Sequence, residues 1–282
     1  MKKTILIIIF AIAIVNVSWA DTIKIYDRDT NGSINLTTSQ IVYDEKEPLL
    51  VAKVAQLLSE DIGRVCGHNS IVDTKIADKQ VVILGTLDNS KIISDLVKKK
   101  KLDVSPIEKG WERYIVKTID NPMRGVEKAL VIVGSDRRGV AYGAFEISEA
   151  IGVSPFYWWA DIPVKHREKI FVEADVISNA PTIKYRGLFI NDEDWGMKPW
   201  STFNFEKELG DIGPKTYAKV CELILRMKGN MLAPAMHTCS GAFYSHPESK
   251  LVADTFGIII TTSHCEPLLL NNASKFDWDQ KI

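Results

Sequence analysis

The sequence predicts an α/β protein in two parts: an α/β region over residues 21–180, then successive β/α units of a parallel sheet over 181–282. Three observations carry this. Helical and extended rhythms alternate along the chain. The runs at 81–85 (VVILG) and 129–134 (ALVIVG) are continuously apolar, as strands buried on both faces are. From Thr182 the order strand, loop, helix, strand repeats, behind a break at Ser178-Asn179-Ala180-Pro181.

The first twenty residues read as a secretory signal. Lys2 and Lys3 precede an apolar stretch at 5–15, and Ser18-Trp19-Ala20 places small residues at the cleavage positions. The stretch is too short to span a bilayer comfortably. Cleavage after Ala20 is expected to leave no membrane anchor, and the destination is the periplasm or the exterior. No cysteine follows the junction, which leaves a lipoprotein unsupported.

Next come short strands at 23–26, 34–36 and 41–43. A helix is predicted over 49–62, with Leu50, Val54, Leu57, Leu58 and Ile62 on one face. The buried strand 81–85 precedes a basic-ended amphipathic helix at 90–101, whose lysines 98–101 read as a solvated helix end. Strands at 114–117 and 129–134 lead into a helix running to about Ile151. Between that last strand and helix lies Ser135-Asp136-Arg137-Arg138-Gly139. Its glycines fit neither dinucleotide nor P-loop spacing, so Gly139 and Gly143 are expected to permit close helix–sheet packing. The aromatic run Phe156-Tyr157-Trp158-Trp159 reads as packing between regions, with a sugar-stacking platform as the alternative.

In the second part, strand 185–190 runs into Asn191, Asp192, Glu193, Asp194 and Trp195, and a loop containing Trp195, Trp200 and Phe203 reaches Gly213-Pro214. Pro214 opens a helix over 215–228. Strand 230–235 ends at Met236-His237, a helical stretch covers about 248–256, and strand 257–262 ends in Ser263-His264-Cys265-Glu266. In a barrel of parallel β/α units, the site lies at the carboxyl ends of the strands. Asn191 and Asp192, His237, and His264 with Glu266 occupy three such ends, whereas the strand interiors are apolar.

These residue types suit glycoside hydrolysis, which uses two carboxyls flanking the scissile bond. Asp192 and Glu266 are available carboxyls, Asn191 can hold a sugar hydroxyl, and Trp195 can pack on a ring. Glu193 and Asp194 are expected to be solvated or paired with Arg186, Trp200 to pack, and His246 to lie at the surface. Asp192, His237, His264 and Glu266 could instead converge on a metal, but neither HxH nor HExxH occurs, and no metal or other cofactor is expected. The balanced charge of −1, with 46% hydrophobic and 25% charged residues, describes an ordinary globular protein without the basic stripe of a nucleic-acid binder. Four scattered cysteines make no disulfide scaffold; buried free thiols are expected, with a Cys239–Cys265 bond as the alternative.

The segments RGLFINDEDWG (186–196), IGPKTYAKVCELILRMKGNMLAPAMH (212–237), ADTFGIIITTSHCEP (253–267) and GSDRRGVAYGAFEISEAIGVSP (134–155) resemble the glycoside hydrolases of family 115, the xylan α-glucuronidases. The resemblance implies an N-terminal α/β accessory domain and a catalytic (β/α)8 TIM barrel. It also implies inverting removal of glucuronic acid, or its 4-O-methyl ether, from α-1,2 linkages on glucuronoxylan or aldouronic acid oligosaccharides. It further implies that Asn191 and His264 contact the uronate and that Asp192 is the catalytic or water-orienting carboxylate. Only three of eight barrel strands fit before Ile282, so a truncated barrel is expected, and the chain alone is expected to be inactive and poorly soluble. Two alternatives stand beside this reading: another exo-glycosidase with a hexosaminidase-like accessory domain, and a non-catalytic glycan-binding protein using Trp158, Trp159 and Trp195.

Overall fold

The computed structural model describes residues 22–191 and 193–262. Residues 1–21, on which the signal-segment expectation falls, lie outside the described residues, as do Asp192, His264, Cys265 and Glu266.

The amino-terminal part contains β1 (Thr22–Tyr26), β2 (Ile34–Asn35), β3 (Gln40–Tyr43), α1 (Leu49–Cys66), β4 (Val72–Asp73), β5 (Gln80–Thr86), α2 (Lys91–Lys98), β6 (Tyr114–Met123), β7 (Val126–Gly134), α3 (Arg137–Ala150) and β8 (Phe171–Ile177). The strands form one mixed sheet in the order β1-β8-β6-β7-β5-β3-β4, with β2 also paired to β8. The β7-β5-β3-β4 half is parallel and the β1-β8-β6-β7 half antiparallel. Strand alternation divides β5 between two cores. Val82 and Leu84 join the α1 and α3 side, whereas Val81 and Ile83 meet Ile93 and Leu96 of α2. Both faces are thereby covered, which is why the run is apolar without interruption.

The β7–α3 turn fits the packing expectation. The Asp136 carboxylate accepts the backbone N–H groups of Arg138 and Gly139, so the chain itself satisfies the start of α3. A Cβ on Gly139 would stand 2.2 Å from the Arg113 carbonyl oxygen, and one on Gly143 would stand 2.9 Å from Ile132. Both glycines let the helix lie against the sheet.

The second part has β9 (Gly187–Phe189), α4 (Lys198–Trp200), α5 (Pro214–Arg226), β10 (Met231–Ala233), α6 (Pro247–Thr255) and β11 (Ile259–Ile260). The strands make a parallel sheet ordered β11-β10-β9, with α5 and α6 as the crossovers. Three parallel strands are present among the described residues, and no barrel is closed by them. Glu206 starts α5: its carboxylate accepts from the amides of Gly213, Lys215 and Thr216. The expected loop after β9 is instead helical. Wide π-type turns at Glu193–Met197 and Ser201–Phe205 flank α4. They are held where the Ser201 hydroxyl donates to Asp211 O and meets the Thr216 hydroxyl.

The two sheets share one buried cluster, from Leu50 and Val54 of α1 through Tyr142 of α3 to Tyr217 of α5 and Leu232 of β10. Polar ties reinforce it. Tyr142 Oη donates to Gly229 O at 2.8 Å, and Arg226 clasps Asp61 with Nη1–Oδ2 2.8 Å and Nη2–Oδ1 3.0 Å. The buried Glu112 carboxylate accepts from Arg138, Arg186 and Asn230, which belong to three different segments. Among the described residues, no helix is long and apolar enough to cross a membrane.

Candidate functional site at the carboxyl ends of the parallel strands

After β9, Ile190 is buried and its N–H donates to Ala233 O at 2.9 Å, so pairing with the β10 strand persists to the threshold of Asn191. Asn191 is exposed. Two residues later the chain turns inward at Glu193, which is 0% exposed. Glu193 Oε1 accepts the backbone N–H groups of Met236 at 2.6 Å and His237 at 2.7 Å. A carboxylate from the first strand end therefore fixes the backbone at the end of the second.

Asp194, half-exposed, reaches the same place by its side chain, where its Oδ2 meets His237 Nδ1. The Cys239 thiol and His237 both hold the Asp194 carboxyl below its ordinary range. Desolvation at the sulfur and the bond to the Asp194 carboxylate push the Cys239 thiol up to about 12. The third strand end begins in register, with Thr261 N–H donating to Leu232 O at 2.9 Å.

Of the six residues singled out from the sequence, Asn191, Trp195 and His237 can be placed. Asn191 and His237 follow neighbouring strands at the same end of the sheet. Trp195 shares the helical run with Glu193 and Asp194 but is 88% exposed and takes no part in the ring cluster behind it. Asp192, His264 and Glu266 fall outside the described residues, and with them three of the four side chains of the metal reading. Among the described residues, no three His, Cys, Asp or Glu side chains converge as a metal ion would require.

Several secondary expectations change. Glu193 is neither solvated nor paired with Arg186, because Arg186 is taken by Glu112 and two amides beyond β10 both donate to the Glu193 carboxylate. His246 is partly buried and tethered: its Nε2 lies 2.8 Å from Asp211, a carboxylate that also binds Lys198 and the amides of Ile212 and Gly241. Cys66 and Cys221 are buried free thiols, while Cys239 is an exposed one.

Trp200 packs as expected. It stacks on Phe205 with centroids 5.4 Å apart and meets Trp158 and Trp159 at 5.6 Å. Trp159 donates its indole N–H to Lys219 O, which ties the aromatic run to α5. A hollow of about 500 Å³ opens beside Trp158, Asp161 and Trp200. It shares Trp159 and Met197 with a more apolar hollow of about 270 Å³ that reaches Asn191. Glu193 and Asp194 are the residues that sequence reasoning undervalued. Nothing in the run Asn-Asp-Glu-Asp marks Glu193 as the carboxyl that turns inward.

Residues 178–281 match the model of glycosyl hydrolase family 115. The chain is similar to the solved structure of a family 115 4-O-methyl-α-glucuronidase with specificity for decorated arabinogalactans. The two are 32% identical with a TM-score of 0.73, over 85% of this chain and 30% of that one. The chain thus spans less than a third of that structure's length. A Streptomyces plicatus β-hexosaminidase in complex with GlcNAc also aligns, at 10% identity and a TM-score of 0.48, over 82% of this chain and 42% of that one. No curated protein matches the chain. In sequence and in fold, the chain is thus similar to the family 115 glycosyl hydrolases, the family that its motifs resemble.

Proposed function

We propose that the protein carrying this chain is an exported glycoside hydrolase. It removes glucuronic acid, or its 4-O-methyl ether, from α-1,2-linked side chains of glucuronoxylan and inverts the anomeric centre. The observation that carries this reading is the 32% identity to a 4-O-methyl-α-glucuronidase over 85% of this chain. An inverting site needs one carboxylic acid to protonate the leaving oxygen and one carboxylate to activate water, about 6.5–9.5 Å apart. In this reading Asp192 supplies the carboxylate that orients water. Asn191 and His264 contact the uronate, with His237, Glu266 and Trp195 around the ring. Further β/α units supply the remaining acid, so the 282-residue chain by itself is expected to turn over no substrate.

A second glycan is favoured by a specific observation, since the similar structure is specific for decorated arabinogalactans. Uronic acid release from aldouronic acids, glucuronoxylan and decorated arabinogalactan, followed by chromatography, separates the two. Activity on the first two supports the xylan reading; activity on the third alone replaces it. Asp192→Ala is expected to lower turnover by at least a hundredfold, the scale of a lost acid–base group. An Asp192→Ala protein as fast as the parent would remove Asp192 from the mechanism.

A further inference from the structure

We propose that Glu193 and Asp194 are positioning residues that together set the His237 imidazole at the mouth of the site. The role given to His237 rests on the proposed function, whereas the clamp itself rests on the geometry. Glu193 acts on the backbone. Its Oε1 accepts two consecutive N–H groups, Met236 at 2.6 Å and His237 at 2.7 Å, and the side chain is fully buried. Consecutive amides of an extended segment point to opposite sides; aiming both at one oxygen forces a turn in the segment that follows β10 and fixes where His237 leaves it.

Asp194 acts on the ring. An ionised carboxylate only accepts, so its contact with Nδ1 places the imidazole proton there. The other ring nitrogen, Nε2, is then an acceptor in the neutral ring and a donor once the ring is protonated. A carboxylate that fixes the tautomer and angle of a histidine is the same device that orients metal-ligating and general-base histidines elsewhere. Here the two handles are adjacent in sequence and come from one turn of helix. Any movement of that turn would move the backbone and the ring together.

Charged and titratable groups stand about this ring among the described residues. Glu193 Oε1 lies 4.0 Å from Nδ1, Asp194 contacts it, and Cys239 on the same loop bonds to Asp194. Farther out, Lys198 and His246 are held by Asp211, whose carboxylate also receives Gly241 N–H.

The test is nitrogen-resolved NMR of histidine-labelled full chain, with the His237 signals identified by their loss in His237→Gln. The parent is expected to show the Nδ1–H form of neutral His237. Asp194→Ala should transfer the ring to the Nε2–H form. Asp194→Asn, which keeps an accepting oxygen but removes the charge, should retain Nδ1–H. Glu193→Ala should raise amide exchange at residues 236 and 237 at least tenfold, and Glu193→Gln, which keeps the accepting oxygen, should restore protection. An Asp194→Ala protein whose His237 tautomer is unchanged, or Glu193→Ala with unchanged exchange, overturns the proposal.

These readouts need no substrate, so they stand apart from the activity. In the protein carrying the chain, Asp194→Asn is expected to raise KM for an aldouronic acid about tenfold with kcat within twofold, as lost ground-state binding does. If the NMR outcomes hold but no uronic acid is released by the protein carrying the chain, the functional reading fails and the clamp survives. If uronic acid is released normally and the NMR outcomes fail, the clamp alone is lost.

Discussion

Replacing Arg226 by methionine tests how the two sheets are held together. Arg226 ends α5 with its side chain 2% exposed, and Asp61 in the middle of α1 is fully buried. The guanidinium gives two bonds to Asp61 and a third, 2.9 Å long, to Glu222 Oε1. It also lies over Phe145 at 4.5 Å and Tyr157 at 4.9 Å. Methionine fills similar volume but leaves the carboxylates without their shared cation. Removing one partner of a buried pair costs about 3–5 kcal/mol. Arg64 still reaches Asp61 at 3.0 Å, and Lys219 and Tyr157 still reach Glu222, so the lower end applies, about 3 kcal/mol. At about 2–4 °C per kcal/mol for a chain of this size, the melting temperature should fall by roughly 6–12 °C. Urea unfolding followed by circular dichroism measures the loss. Combining Arg226→Met with Asp61→Asn should cost clearly less than the sum of the single changes. A single-variant loss under about 1 kcal/mol, or strict additivity, would refute the claim that this ion pair locks α1 to α5.

Three further outcomes are expected. Burial, only partly offset by the Thr86 amide and hydroxyl, pushes the Glu47 carboxyl up to about 7. The native state therefore keeps a proton that the unfolded chain releases, and this contribution to stability should decline as pH rises between about 4.5 and 7. Its slope should stay below about 1.4 kcal/mol per pH unit, and denaturation midpoints of Glu47→Gln across that window should lack it. Gly139→Ala should destabilise by about 1–3 kcal/mol, because its Cβ would collide with the Arg113 carbonyl; an unchanged melting temperature would contradict that contact. Cys239, although exposed, should react with iodoacetamide at pH 8 at least tenfold more slowly than a free cysteine peptide, and Asp194→Asn should accelerate it; mass spectrometry of timed samples decides.

Strands with both faces covered were the easiest to read, because Val81–Leu84 and Ala129–Val133 have no polar side to confuse the pattern. The periodic face of α1 was legible too, although the helix runs on to Cys66. Strand β8 escaped notice. Its Glu173 and Asp175 alternate outward between buried residues, behind a polar approach that masks the rhythm, yet it carries both β1 and β6. Strand β4 is two residues long and offers no period at all. At the site, the polar strand ends were visible as residue types. The inward turn of Glu193 was not, since a carboxyl is buried only when donors wait for it, and those donors are amides 43 and 44 residues away. The distant partner of His246 was hidden for the same reason.

The meeting of Arg138, Arg186 and Asn230 on Glu112 bears on protein engineering. Glu112 sits at a backbone φ of 58°, in a loop ahead of β6, while Arg186 and Asn230 flank β9 and open β10. A chimaera that grafts the parallel strands onto a foreign amino-terminal half would strand two of these groups without their anion. The two halves are therefore expected to be exchangeable only as a matched set, with the loop at 112 travelling alongside its guanidinium and amide partners.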